Sequence, residues 1–197
     1  MLRGLRKEAF NGKHEKGGAV MFIDLLRSRR SVRAFTDKPV ELEKIDRLVE
    51  AVLRAPSSRG FNPWEFVVVT DPDLLGRLSR AKPSGAAFLA NAPLGIAVCG
   101  DPGKSDVWVE DVSIAAVILH LAATDLGLGS CWIQLRLREH DQTRTAGEYA
   151  ADLLGLPVGL EVSAIIAIGY PAQQPAPHPE ASLQRGKVSF NRYGNRQ

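Results

Sequence analysis

Cysteine is scarce in this chain: Cys99 and Cys131 are the only two among 197 residues, and both sit in apolar stretches. No disulfide framework can hold such a chain, and a reduced thiol there serves as a small hydrophobe. A reducing cytoplasm is the expected setting. Long apolar runs are missing too. The longest, Val112 to Leu128, is broken by His120 and Asp125 and is rich in alanine, which fits a buried helix better than a membrane span. The first twenty residues are polar and basic without an apolar core, so they do not read as a signal peptide. The four histidines, His14, His120, His140 and His178, lack metal-ligand spacing, and neither a GxSxG elbow nor a Walker loop occurs. Zinc and serine-triad chemistry are not expected. Net charge is only +3, with no stripe of arginine and aromatic residues and no DNA-binding motif beside it. A basic nucleic-acid-binding module is the weaker reading, and anionic small molecules are the better partners.

What is present is an ordinary globular composition, 45% apolar and 24% charged, at a length suited to one domain. Residues 1–21 read as a flexible extension with Met21 as the natural start, and residues 22–197 as a single domain. Phe22, Ile23, Leu25 and Leu26 open a short helix, and Leu42, Ile45, Leu48, Val49, Val52 and Leu53 recur at helical spacing. That second helix must stop before Pro56, because proline disfavours a helical conformation in the residue before it. Phe66 to Thr70 reads as a strand, followed by a short helix through Leu74, Leu75 and Leu78, then a strand from Leu94 to Cys99. A long helix covers about Val109 to Leu126, and its Ala115, Ala116, Ala122 and Ala123 allow another backbone to approach closely. Ser130 to Ile133 is short and extended, Tyr149 to Leu154 is helical up to Gly155, and Val162 to Ile168 is a buried strand. From about residue 171 a Pro-rich arm still carries Val188, Phe190 and Tyr193, which points to docking on another surface such as a partner subunit. Alternating strands and helices make the class α/β or α+β.

Arg27, Arg29, Arg30 and Arg33 fall within seven residues beside Ser28 and Ser31, a dense set of planar donors suited to phosphate. From spacing alone the same run reads more readily as a solvated basic helix end, since most short charge runs are simply exposed. The loop from Ala55 to Trp64 offers two hydroxyls and an amide, and reads either as a ligand loop or as turn chemistry. Gly127-Leu128-Gly129-Ser130-Cys131-Trp132 lacks the third glycine of a dinucleotide fingerprint and follows a helix instead of preceding one, so a Rossmann site is rejected. A chain without an obvious acid, base or nucleophile is what a cofactor-borne reaction leaves behind.

Four blocks, in order, carry a resemblance: Arg29-Arg30-Ser31-Val32-Arg33-Ala34-Phe35, Ala55-Pro56-Ser57-Ser58 to Asn62-Pro63-Trp64, Gly127 to Ile133, and Gly169-Tyr170-Pro171. Together they resemble the signatures of the FMN-dependent nitroreductase family. The resemblance implies an α+β fold with a central, mainly antiparallel sheet wrapped by helices, and an intertwined homodimer with two FMN sites at its interface. It implies that Arg29, Arg30 and Ser31 hold the FMN phosphate and ribityl chain, and that Arg33 reaches the pyrimidine edge. Pro56, Ser57, Ser58 and Asn62 would come from the other subunit, Cys131, Trp132, Ile133 and Gln134 would line the ring, and Arg185 and Lys187 would close on the phosphate from the arm. Cys131 is expected to be a packing residue and not a redox thiol. Three positions depart from many relatives: Gly60 in place of Asn, Asn62 in place of Gln, and Gln134 in place of a glutamate or glycine. The implied activity is electron transfer from NAD(P)H to a small oxidant, a nitroaromatic, quinone or activated alkene, by a ping-pong mechanism. Alternatives are reductive dehalogenation, azoline dehydrogenation, or flavin binding without turnover.

Overall fold

The computed structural model describes residues 21–196, so residues 1–20 of the expected extension lie outside the described residues. Five helices, α1 (Phe22–Ser28), α2 (Leu42–Leu53), α3 (Pro72–Leu78), α4 (Trp108–Asp125) and α5 (Ala146–Leu154), alternate irregularly with four strands. The strands are β1 (Trp64–Val69), β2 (Leu94–Gly100), β3 (Gly129–Gln134) and β4 (Glu161–Gly169). They form one sheet in the order β1-β2-β4-β3, antiparallel throughout. This is the α+β architecture expected, and no helix among the described residues is long and apolar enough to cross a membrane.

Side-chain alternation along the two central strands explains the layering. Successive residues of a strand point to opposite faces, so Ile96 and Val98 of β2 join Ile166 and Ile168 of β4 beneath α2 and α4. Ala97 and Cys99 join Ile165 and Ala167 beneath α3 and α5 on the other face. Both faces are covered, and β2 accordingly reads as a continuous apolar run with every residue buried.

Local chemistry sets the boundaries that periodicity left open. α5 begins three residues before Tyr149, because Thr145 and Glu148 form a capping box over its first turn. It ends at Gly155, which takes the left-handed conformation at φ 66°. After β4, the chain is clamped where it leaves the sheet. Lys44 Nζ donates to the Leu126 carbonyl at 2.7 Å and to the Tyr170 hydroxyl at 2.9 Å, while that hydroxyl donates to Glu41 at 2.6 Å. The Tyr170 hydroxyl, and then Lys38, pull the Glu41 carboxyl down to about 2. Beyond this clamp none of residues 172–196 is buried, and Leu183, Val188, Phe190 and Tyr193 remain exposed. Phe22, Ile23 and Leu26 of α1 and Ile114 and Val117 of α4 are exposed as well.

Candidate functional site

The site is assembled at the outer edge of β3. α1 stops at Ser28, and the chain turns into an extended segment laid parallel to β3, bridged at Ser31 and Ser130. The Val32 N–H donates to the Ser130 carbonyl at 3.0 Å. Gly129 makes this approach possible: a Cβ there would stand 2.8 Å from the Val32 side chain. With Val32 turned inward and buried, the flanking Ser31 and Arg33 face outward. On its other side the same segment pairs with the start of the arm, Thr36 N–H to the Tyr170 carbonyl and Ala172 N–H to the Ala34 carbonyl, both at 2.9 Å. Arg30 donates to the carbonyl of Ala176.

Cations collect here without counterions. Among the described residues Arg29, Arg30 and Arg33 pair with no carboxylate, and neither does Lys82, which reaches the same place from the loop after α3. Arg33 lies over the Phe88 ring, 6.0 Å from its centre. Beneath them sits Cys131, buried. Burial pushes its thiol above the ordinary value, against the pull of Arg33, Arg29 and Lys82. A thiol held protonated in this way is a packing group and not a nucleophile. Cys99, buried deeper, is pushed up to about 12.

Three hydrogen bonds support this edge from behind. His120 of α4, 8% exposed, shares a 2.7 Å hydrogen bond between its Nδ1 and the Ser130 hydroxyl, and its ring stacks on Trp132. Burial, and then the nearby Arg29, hold His120 down to about 4, so it stays neutral beside the arginines. Trp132 Nε1 donates to Gln134 Oε1 at 2.8 Å, and Gln134 Nε2 donates to the Arg136 carbonyl at 2.9 Å. Gln134 thereby fixes the Trp132 ring, with Ile133 buried between them.

The second sequence block lies elsewhere. Ser57 Oγ donates to Asn62 Oδ1 at 2.7 Å and accepts from the Asn62 N–H at 2.9 Å, closing a tight loop after the exposed Pro56. Arg59, Gly60 and Asn62 all take positive φ there. The Ser58 N–H donates to Asp111 at 2.8 Å, which ties this loop to the start of α4. Nine residues of helix, about 14 Å at 1.5 Å each, separate Asp111 from His120, and β1 and β3 are opposite edges of the sheet. Within one chain, then, Ser57, Ser58 and Asn62 stand away from the arginine edge. Arg185 and Lys187 lie on the exposed arm, where Arg185 pairs with Glu180 at 2.9 Å. Sequence reasoning missed Lys82 and the role of Ser130, which nothing local marks. His120 reads from its place on the long helix as a hydrogen-bonded interior or interface residue, and the fold supplies Ser130 as its partner.

One edge of this α+β sheet therefore gathers cations without carboxylates, among the described residues, over a largely apolar floor. The comparisons name the class. The nitroreductase family model matches residues 26–84 and 76–170, and the chain belongs to the nitroreductase family. A putative NADH dehydrogenase/NAD(P)H nitroreductase of Archaeoglobus fulgidus is 35% identical over 156 residues, covering 77% of this chain and 86% of that one. The structure of an FMN-dependent nitroreductase from Clostridium difficile superposes with a TM-score of 0.85 at 44% identity, over 87% of this chain and 99% of the other. Iodotyrosine deiodinase 1 of Rattus norvegicus is 47% identical over 53 residues, only 27% of this chain and 19% of that protein.

Proposed function

We propose that this chain is an FMN-dependent NAD(P)H oxidoreductase that passes electrons to a small organic oxidant, a nitroaromatic, quinone or activated alkene. The observation that carries this reading is the edge where Arg29, Arg30 and Arg33 meet Ser31 and Cys131 without a carboxylate. FMN fits that edge: a phosphate answers the uncompensated guanidiniums, and the Trp132 and Phe88 rings offer apolar surface. When bound, FMN supplies reversible hydride acceptance and donation.

The residues then divide the work. Arg29, Arg30 and Ser31 would hold the phosphate and ribityl chain, with fork-shaped donors matched to phosphate oxygens. Arg33 would face the pyrimidine edge, where a fixed cation favours added negative charge. Cys131, Trp132, Ile133 and Gln134 would form the floor and exclude water. Pro56, Ser57, Ser58 and Asn62 would reach the site from a second copy of the chain, and Arg185 and Lys187 would close on the phosphate from the arm. A dimer with two-fold symmetry would cover the apolar groups left exposed on α1, α4 and the arm. Donor and oxidant would take the same place in turn, which makes the kinetics ping-pong.

The test is reductive titration without oxygen. Bleaching of the purified protein's visible spectrum by NADH or NADPH, reversed by a nitroaromatic or quinone, is the expected result. A colourless protein would overturn the flavin reading, and one whose colour the nicotinamides leave untouched would overturn turnover in favour of a passive flavin binder.

A further inference from the structure

The cations at the β3 edge outnumber what one phosphate and one ring edge require. With Arg29, Arg30 and Arg33 given those tasks, which rests on the function proposed above, Lys82 remains, and the exposed Arg138 stands near it. They come from two loops that the fold ties together: His140 Nδ1 and the Ala81 carbonyl share a 3.1 Å hydrogen bond, and the His140 ring stacks on Tyr149 of α5 at 4.0 Å. The Arg138 backbone is pinned from both sides, its N–H donating to the Leu135 carbonyl at 3.0 Å and its carbonyl accepting from the Ala146 N–H at 2.8 Å. Leu137 takes a left-handed φ of 57° to make this turn, a conformation a leucine adopts only under constraint. Lys82 folds back over Gly85 and is half-buried. Neither Lys82 nor Arg138 pairs with a carboxylate among the described residues.

We propose that Lys82 and Arg138 form an oxyanion-recognition pair for the molecules that exchange electrons at this site, favouring a carboxylate-bearing oxidant over its neutral counterpart. Two like charges held together on constrained loops are mutually unfavourable until an anion joins them. Burial, and then Arg138, hold the Lys82 ammonium below its ordinary value, which is the effect expected of a cation waiting for a counterion. A carboxylate bound between them would make charge-assisted hydrogen bonds to both. The extra phosphate of NADPH offers the same chemistry from the donor side.

The experiment uses the full-length, FMN-loaded protein with NADH and compares kcat/KM for 4-nitrobenzoate and 4-nitrobenzamide. It also measures benzoate binding from the shift of the oxidised visible spectrum. Wild type should favour the carboxylate, and Lys82→Gln or Arg138→Gln should lower the ratio of the two kcat/KM values about tenfold or more and weaken benzoate. Loss of an NADPH-over-NADH preference in the same variants would support the pair while assigning its oxyanion to the donor. Equal use of both nitro compounds by wild type, with no binding of benzoate, would overturn the proposal and leave the oxidoreductase reading standing. Loss of FMN at an unchanged ratio would also overturn it, by giving Lys82 to the cofactor. Should neither nitro compound be reduced, a nitroaromatic oxidant is excluded, and benzoate affinity in wild type against Lys82→Gln decides the pair alone.

Discussion

Arginines on two parts of this molecule meet opposite fates. On the outer faces of α1 and α2, Arg27 pairs with Asp24, Arg47 with Glu43 and Arg54 with Glu50, each within one helical turn and at 2.6–3.0 Å. At the β3 edge, Arg29, Arg30 and Arg33 stand among hydroxyls, a thiol and aromatic rings with no acid supplied. The helix pairs are local and solvated, so each contributes only a few tenths of a kcal/mol. The edge cations are brought together by long-range strand pairing, and the chain leaves their charge for something else to neutralise. A short run of arginines in the sequence spans both situations, and only the fold separates Arg27 from Arg29.

The largest effect should come from prying the edge apart. Gly129→Val places a side chain where a Cβ already meets Val32 at 2.8 Å, so segment 29–33 must lift off β3. Overpacking of this kind costs about 1–3 kcal/mol. The melting temperature of the FMN-free protein should drop and FMN affinity should fall beyond what that loss of stability explains. A variant that melts and binds like wild type would show that the cradle does not depend on the Gly129 contact.

Next comes the neutral histidine behind the edge. His120 is held from its ordinary 6.5 down to about 4, so between those values the unfolded chain binds the proton and the folded chain does not. Its neutral burial is therefore harmless above pH 6.5 and subtracts stability progressively as pH falls toward 4. Denaturant titrations of wild type and His120→Phe across pH 4–7 should show a steeper acid loss in wild type. Parallel curves would mean that His120 does not titrate in this window. A smaller effect is expected at Arg33. Removing its charge should lower the flavin midpoint potential, and a loss of about 1.4 kcal/mol corresponds to roughly 30 mV for a two-electron couple. Equilibration with redox dyes at saturating FMN would read it, and an unchanged potential would place Arg33 away from the ring.

The layered core was readable from sequence because each of its elements announces itself locally. Leu94 to Cys99 is a continuous apolar run, and it became β2, one of the two central strands, while the alanine-rich stretch around Ala115 and Ala116 became α4. The start of α5 was also written locally, in Thr145 and Glu148, but a capping box is easily passed over when periodicity begins later. The arginine run was visible, yet its division into paired and unpaired members was not, since that depends on Ser31 meeting Ser130 ninety-nine residues away. Lys82 was silent for the same reason. Its loop is brought near Cys131 by the fold, and no neighbour in sequence hints at it. The loop from Pro56 to Asn62 was recognised as a candidate, and the single chain leaves it at the far end of α4, tied to Asp111.

The contrast between the two sets of arginines is tested most directly by FMN affinity in two single variants, measured by flavin fluorescence at one ionic strength. Arg29→Ala removes a cation from the β3 edge, and Arg54→Ala removes one already paired with Glu50. At about 1.5–3 kcal/mol for hydrogen bonds to a charged group, the first should weaken FMN binding by one to two decades, while the second should leave it at the wild-type value. Equal affinities in wild type and both variants would contradict the account, and would make the arginine edge one more solvated surface.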